Sequence, residues 1–305
     1  MLKRVDELII FAKAAKTKRI AVVFAHDENV MEAVAKAIEL GVVDPVLIGE
    51  SREIANLMSK HCLGHAYEVI DESDGEKATK IAMDLVNAGK AEIVMKGLID
   101  TRVLLKGVVN KEYGIRKAQL LSHVGLVSYP GFDRVLFASD GAMNIEPSID
   151  EKIMIIENAV TLAHNLGYRE PKVGLVSAVE KVNPKIQSTV DAEKIKEYYR
   201  ANPPQGFLID GPFAIDNLVS HEAVKHKGIE SPVAGNADVL IFSHLDGGNI
   251  FYKTSVFLAQ GTSAGIIVGA KVPIVLTSRA DSAEAKLLSI LLAVVTQDGL
   301  LAIDH

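Results

Sequence analysis

Short apolar runs alternate along this chain with longer segments in which apolar residues recur every three or four positions. The run 19–25 predicts a buried strand, the spacing over 29–40 predicts a helix, and the run 45–49 predicts a second strand. A strand, a helix and a strand in this order form a βαβ unit, which implies a parallel sheet covered by helices.

The same rhythm continues toward the C-terminus. Further strands are predicted at 93–97, 120–127, 134–138, 172–177, 206–212, 239–242, 265–268 and 272–276, and further helices at 78–87, 150–166, 191–200, 250–259 and 285–295. Segments rich in glycine or proline at 128–131 and 260–265 predict hinges. We therefore expect an α/β fold with two domains, each an open, parallel-rich sheet flanked by helices. The first domain would comprise 1–130 plus 265–305, and the second 131–264.

The composition narrows the class of protein. A chain of 305 residues with 49% hydrophobic and 24% charged residues can form two packed domains and is not disordered. The net charge of −6 argues against a nucleic-acid-binding protein, which would carry a basic excess. No apolar run reaches the ~20 residues that a membrane span needs, and residues 1–16 predict an amphipathic helix rather than a signal peptide. The expected location is the cytoplasm.

The single cysteine, Cys62, excludes an intrachain disulfide and fits a reducing compartment. It lies between His61 and His65, which raises the question of a metal site. Zinc sites usually need four ligands with repeated Cys/His spacing, and the sequence has no second cluster. We interpret Cys62 as a thiol between two loop histidines and predict no metal site.

The turn 277–282 carries the most informative chemistry. It connects the predicted strand 272–276 to the predicted helix 285–295, and it contains Ser278 and Arg279. The free N–H groups and the positive end of a helix dipole favour an anion. An arginine fork adds bidentate hydrogen bonds to phosphate oxygens. The turn therefore favours a site for a phosphorylated small molecule, the alternative being a serine N-cap beside a surface arginine.

Three roles are open for Asp281 in the same turn. With Glu284 three residues later it resembles a helix-start pattern, so Asp281 is a plain cap, a partner for Arg279 or a base.

A second turn of the same style is predicted at 246–249. Gly247 and Gly248 would let the backbone approach a ligand closely. Asn249 would open the following helix, with Lys253 one turn later on the same face. The alternative is an ordinary glycine turn and a solvated lysine.

Polar residues also follow other predicted strands. Ligands of open α/β sheets bind at the carboxyl ends of the strands, and the candidates at those positions are Lys96, Asp140, Asp210, Asn249, Ser278 and Arg279. We expect the active site in the cleft between the two domains, which would gather them. The sequence contains no Gly-x-Gly-x-x-Gly motif, no P-loop and no His, Asp or Glu cluster with metal spacing, so NAD, ATP and zinc chemistry lose support.

With these residues in view, the chain resembles the phosphate acetyl/butyryltransferase family, and most of all its phosphate butyryltransferase branch. The resemblance covers nearly the whole chain. It is carried by the segments 96–98, 120–124, 139–144, 156–160, 178–184, 210–217, 231–235, 248–253 and 277–281. Their order and number are specific, although no single segment is decisive.

The resemblance implies a reversible transfer of a short- or branched-chain acyl group, butyryl above all, between CoA and inorganic phosphate. Transfer would proceed by direct attack in a ternary complex, without an enzyme nucleophile, a metal or a tightly bound cofactor. Coenzyme A is then a substrate, and acyl-CoA, phosphate and acyl phosphate are the small-molecule partners. A homodimer or larger homo-oligomer is implied, with no nucleic-acid or membrane partner.

The resemblance also implies roles for individual residues. Arg279 would hold the phosphate with Ser278 as a donor, and Asn249 or Lys253 would donate to the oxyanion. The predicted catalytic residues are Asn249, Lys253, Ser278, Arg279 and Asp281. The predicted substrate-binding residues are Lys96, Thr101, Asp140, Asn144, Asp210, Gly248 and Thr277.

One departure from the acetyl-transferring relatives concerns the base. Those relatives carry an aspartate six residues after the arginine, and Ala285 occupies that position here. Since a free thiol with a pKa of about 8.5 is mostly protonated at neutral pH, a base helps. Asp281, Glu284 or a residue of the other domain would serve, or Arg279 and the helix dipole would favour the thiolate unaided.

Three alternatives compete with a butyryl-transferring enzyme. One is a phosphate acetyltransferase with acetyl preference. Another is a non-catalytic module that binds acyl-CoA, as in relatives fused to malic enzymes. The third is an NAD-dependent decarboxylating dehydrogenase of a related fold, which would need a metal-binding carboxylate cluster that the sequence does not show.

Overall fold

The computed structural model describes residues 2–61 and 67–298. Contacts divide the chain into two compact units. The terminal unit contains the described residues of Asp6–Leu121 and Ser263–His305, and the middle unit those of Met1–Val5 and Ser122–Thr262. The predicted domain boundaries at 130/131 and 264/265 stay a prediction.

The described residues of the terminal unit form six strands. They are β1 (Lys18–Val23), β2 (Val43–Gly49), β3 (Glu68–Asp71), β4 (Ile93–Lys96), β10 (Thr262–Val268) and β11 (Ile274–Val275). Their order is β3-β2-β1-β4-β11-β10. The pairs from β3 to β11 are parallel, and β10 pairs with β11 in the antiparallel direction.

Six helices accompany this sheet within residues 6–61, 67–121 and 263–298. They are α1 (Leu8–Ala14), α2 (Glu28–Glu39), α3 (Ser51–His61), α4 (Gly75–Asn87), α5 (Thr101–Val108) and α11 (Ala283–Asp298). In α2, the side chains of Val30, Val34 and Ile38 are buried, as their spacing predicted. Asp27 caps the start of this helix, because its side chain accepts a hydrogen bond from the N–H of Val30.

The part of the middle unit that the structure describes has five strands. They are β5 (Ser122–Ser128), β6 (Leu136–Ser139), β7 (Lys172–Val176), β8 (Leu208–Phe213) and β9 (Val239–Ile241). Their order is β5-β6-β9-β7-β8, with an antiparallel β5–β6 pair and parallel pairs elsewhere.

Five helices belong to the middle unit: α6 (Ile149–Asn165), α7 (Gln187–Ala201), α8 (Ile215–Val219), α9 (His221–Lys227) and α10 (Leu245–Phe257). One apolar cluster of its core joins the side chains of Leu136, Phe213, Leu218, Leu240 and Phe242. The α/β fold expected from the alternating pattern is thus confirmed.

Two parts of the sequence interpretation need correction. The helix predicted over 1–16 is shorter, since a 3₁₀ turn at Val5–Glu7 leads into α1, which ends at Ala14. The turn predicted at 246–249 is wrong, because α10 begins at Leu245 and these residues form its first turns. The segment around Cys62 lies outside the described residues.

No helix in the described part of the chain is long and apolar enough to cross a membrane.

A buried ion pair joins α6 to α7. The Lys152 Nζ atom lies 2.5 Å from Asp191 Oδ2, and both side chains are buried. Gln187 donates a hydrogen bond to the other carboxylate oxygen. Burial on its own would raise the pKa of Asp191, but the hydrogen bonds from Lys152 and Gln187 outweigh burial and lower that pKa.

We predict that Asp191→Asn lowers the free energy of unfolding by about 3 kcal/mol, because it leaves the Lys152 ammonium buried without its counter-charge. The stabilisation should also fade in the wild type as the pH falls below about 4, because Asp191 of the unfolded chain then takes up a proton, whereas the folded protein, in which the pKa of Asp191 is lowered, does so only at a lower pH. Urea titration of both proteins measures these changes. The double variant Lys152→Met, Asp191→Leu should recover most of the loss, and a single variant as stable as the wild type would contradict the prediction.

Candidate active site

The strand order of the terminal unit reverses at β1. From β1 the chain moves outward through β2 and β3, and it then returns to β4 on the opposite side of β1. Open α/β sheets bind ligands at such a switch point, beyond the carboxyl ends of the strands. A depression lies here, lined by Asp27, Val30, Lys96, Gly97, Thr277, Ser278, Arg279 and Lys286.

The backbone is tightly packed where β1 and β4 end at this edge of the sheet. Phe24, directly after β1, has a φ of 57°, which side-chain-bearing residues rarely adopt. A Cβ at Gly97 would lie 2.1 Å from the carbonyl oxygen of Phe24. Only glycine fits there, so β4 can pass close to β1 and place Lys96 at the edge of the sheet.

Lys96 is buried, with 6% of its surface exposed. Its ammonium donates to the carbonyl of Gly97 at 3.2 Å. Burial lowers the pKa of Lys96, and the positive charges of Arg279 and Lys286 lower this pKa further. Two neighbouring cationic side chains therefore act on Lys96 in this depression.

The turn after β11 closes on itself through Ser278 and Asp281. The N–H of Ser278 donates to Asp281 Oδ2 at 2.7 Å, and the N–H of Ala280 donates to Ser278 Oγ at 3.3 Å. Ser282, and not Ser278, caps α11, because its hydroxyl accepts from the N–H of Ala285. Asp281 closes the turn by accepting the hydrogen bond from Ser278, and its role as a base stays a prediction.

Lys286 holds this turn from inside α11. Its side chain is buried, with 2% of its surface exposed. The ammonium donates to the carbonyl oxygens of Ser278 at 2.8 Å and Asp281 at 2.9 Å. Burial lowers the pKa of Lys286, against the opposing influence of Asp281 and Asp27.

Arg279 is exposed at the tip of the turn. Among the described residues, no carboxylate forms an ion pair with Arg279, Lys96 or Lys286. Thr277 lines the same depression. Thr101 is the first residue of α5, which Asp100 caps by accepting a hydrogen bond from the N–H of Arg102.

In the middle unit, Asp140 organises the loop that follows β6. Its carboxylate is 2% exposed and accepts four hydrogen bonds. The donors are the N–H groups of His123, Ala142 and Met143 and the amide of Asn144, the last at 2.6 Å. The predicted pair Asp140 and Asn144 is thus brought together, with the carboxylate directed to its own loop.

The first turn of α10 packs against this loop through glycine. A Cβ at Gly248 would lie 2.4 Å from the carbonyl oxygen of Asp140. The side chain of Asn249 donates to the carbonyl of Gly141 at 3.0 Å. The glycine pair was interpreted as a turn, whereas Gly248 is required for a close backbone approach within a helix.

Lys253 lies one turn after Asn249 on α10, as the spacing predicted. Its ammonium lies 5.7 Å from the centre of the Phe257 ring and 6.0 Å from that of Tyr252. Such cation–π contacts hold a lysine head group near the protein surface without neutralising it.

Asp210 is placed apart from Asp140. It lies within β8, the edge strand, with β9 and β7 between it and β6. Its carboxylate forms an ion pair with Lys196 at 3.0 Å, and Lys196 also donates to the carbonyl of Gly211. The structure thus gives Asp210 a partner inside the middle unit.

Sequence reasoning missed two charged residues of the depression. Asp27 was not among the predicted site residues, and Lys286 lies within a helix predicted from its apolar residues. The available signal for Lys286 was a lone lysine in an otherwise apolar segment, four residues after Ser282. Across residues 2–61 and 67–298, no group of three or more His, Cys, Asp or Glu could hold a metal ion.

Comparisons with known proteins identify the family to which this chain belongs. The family model described as phosphate acetyl/butaryl transferase matches residues 64–294. Phosphate butyryltransferase of Clostridium beijerinckii is 42% identical over 294 residues, which cover 96% of this chain and 97% of that protein. Phosphate acetyltransferase of Thermotoga maritima is 41% identical over 290 residues, covering 95% and 98%.

A solved structure gives the same result. The branched-chain phosphotransacylase from Enterococcus faecalis V583 matches with a TM-score of 0.83 and 32% identity, covering 93% of this chain and all of that one. The chain is therefore an α/β protein of the phosphotransacylase fold. It belongs to the phosphate acetyl/butyryl transferase family, which confirms the resemblance carried by its motifs.

We predict that Gly248→Ala lowers the free energy of unfolding by about 1–3 kcal/mol, because the added methyl group collides with the backbone of Asp140. The adjacent Gly247→Ala is the matched control. Its methyl group would meet the ring of Phe242 at 3.4 Å, an ordinary contact, so the helix should be unchanged or stabilised by up to about 1 kcal/mol. Urea titrations of both variants measure the difference, and equal stabilities would contradict the close approach.

Proposed function

We propose that this protein catalyses the reversible transfer of a short- or branched-chain acyl group between coenzyme A and inorganic phosphate, with butyryl as the preferred acyl group. The observation that carries the proposal is the depression at the switch point of the terminal unit. It combines Lys96, Lys286 and Arg279 with the hydroxyls of Thr277 and Ser278. The family membership and the names of the relatives support the same reaction.

The reaction needs a bound phosphate and a stabilised oxyanion. In the direction of acyl phosphate, a phosphate oxygen attacks the thioester carbon. The new C–O bond forms first and gives a tetrahedral oxyanion, the C–S bond then breaks, and the CoA thiolate leaves and takes up a proton. In the reverse direction the thiolate attacks the acyl carbon and phosphate leaves. Direct transfer in a ternary complex needs no nucleophile from the protein.

The proposal assigns the phosphate to the terminal unit. Arg279 can donate two parallel hydrogen bonds to phosphate oxygens, and its exposure leaves the guanidinium accessible. Ser278 adds a hydroxyl donor. Lys96 contributes positive charge from a buried position, where a charge acts more strongly than in water.

The other predicted roles remain part of the proposal. Asn249 and Lys253 would donate to the oxyanion of the tetrahedral intermediate, supported by their spacing of one turn on α10. Asp281 would accept the thiol proton in place of the aspartate that Ala285 replaces. Coenzyme A is a substrate in this scheme, and we propose a homodimer or larger assembly as the working form.

A second candidate is the same reaction with acetyl preference. The acetyltransferase of Thermotoga maritima is 41% identical to this chain, close to the 42% of the butyryltransferase. One methylene group in an apolar pocket changes discrimination by only about 1–3 kcal/mol, so relatives this similar can differ in chain length.

The chain-length experiment compares acetyl-, butyryl- and isobutyryl-CoA as substrates with inorganic phosphate. We expect phosphate-dependent release of CoA, with kcat/KM for butyryl-CoA about 10-fold or more above that for acetyl-CoA. The readout is the free thiol formed over time. Acetyl preference would replace the first candidate by the second, and binding of CoA without turnover would contradict both.

We predict that Arg279→Ala lowers kcat/KM about 10²–10³-fold, because it removes a charged contact with the phosphate in the transition state. Arg279→Lys should lose less, since it keeps the charge but not the bidentate fork. Arg52→Ala is the control, an exposed arginine on α3. Full activity of the Arg279→Ala enzyme would place the phosphate elsewhere.

A further inference from the structure

Lys286 was absent from the predicted site, yet it lines the depression and bonds to the turn that carries Arg279. It belongs to α11, four residues after the serine that caps this helix. Its ammonium reaches back to the turn before the helix and binds two carbonyl oxygens there, those of Ser278 and Asp281. These two residues flank Arg279, so Lys286 holds both sides of the turn that carries the guanidinium.

Not all hydrogen-bond donors of the Lys286 ammonium are used. A lysine ammonium has three N–H groups. Two are donated to carbonyl oxygens, and in the described part of the chain no further acceptor and no ion-paired carboxylate is found for the third. Since Lys286 also lines the depression, the third N–H has an anion as its natural acceptor.

The charge of this ammonium is poorly compensated. Removing a charge from water is costly unless a counter-charge and hydrogen bonds replace the water. Lys286 is 2% exposed, and the carboxylates of Asp27 and Asp281 act on it only through space. Lys96 is in the same situation, and burial lowers the pKa of both lysines. A bound dianion would supply the missing counter-charge.

We propose that Lys286 is a further ligand of the phosphate, beside Arg279 and Ser278, which holds the 278–281 turn through two hydrogen bonds and donates its third N–H to a phosphate oxygen. The inference rests on the proposed function for its ligand. It adds to that function a buried cation that both positions Arg279 and contributes charge directly.

Two substitutions separate the charge of Lys286 from its hold on the turn. Lys286→Gln keeps an amide that can donate two hydrogen bonds to the carbonyl oxygens, but it removes the positive charge. Lys286→Met removes both while keeping a similar length. Lys271→Met is the control, because Lys271 is an exposed lysine of the same unit whose ammonium bonds to Asn87.

The first measurement is the Kd for inorganic phosphate alone, obtained by calorimetric titration of the full chain. Loss of a charged hydrogen-bond donor should weaken binding about 10- to 100-fold in both Lys286 variants, with no change in Lys271→Met. A merely structural lysine predicts that Lys286→Gln binds phosphate as tightly as the wild type, and that result would overturn the inference.

The second measurement is steady-state turnover. We expect the KM for phosphate to rise about 10- to 100-fold in Lys286→Gln while the KM for acyl-CoA changes less than about 2-fold. A rise in both constants together would indicate a general disturbance and contradict a phosphate ligand. Arg279→Ala distinguishes the two levels of failure. If Arg279→Ala loses turnover while Lys286→Met binds phosphate normally, only this inference fails. If Arg279→Ala keeps full turnover, the proposed function fails at this site.

Discussion

The arrangement of this site depends on two ammonium groups buried at the carboxyl edge of one sheet. Lys96 and Lys286 are 6% and 2% exposed, and neither forms an ion pair with a carboxylate of the described residues. Folding alone does not favour this arrangement, since buried charge without a partner is destabilising. Its physical advantage is a strong field in a small volume, because a charge surrounded by protein acts more strongly than one in water. A dianionic ligand completes such a site, which is why we assign phosphate to it.

In the middle unit, hydrogen bonds to a buried carboxylate fix the loop that follows β6. Asp140 gathers four hydrogen-bond donors from its own loop and from β5, so its carboxylate is satisfied internally. Gly248 then allows α10 to touch that loop, backbone against backbone. Together the two residues set the position of Asn249. The carboxylate therefore acts in the structure as an organiser of the loop.

Much of the fold could be predicted because buried parallel strands are short apolar runs with little ambiguity, as in β1, β2 and β4. Elements with few buried residues gave no such signal: α9 buries none, and α3 buries only Ile54 and Met58. The helix start at Leu245 was missed because glycine generally favours turns. Here Gly248 is required by a close backbone contact with Asp140, which is remote in sequence. For the same reason Lys286 was hidden. Its role depends on two backbone carbonyls before the helix, which no side-chain pattern reveals.

The most direct measurement is the crystal structure of the protein with inorganic phosphate bound. We expect the phosphorus atom in the depression of the terminal unit, with phosphate oxygens within hydrogen-bond distance of Lys286 Nζ, the guanidinium of Arg279 and the hydroxyl of Ser278. Phosphate bound at the start of α10, with the depression beside Lys96 empty, would contradict the assignment of phosphate to this depression.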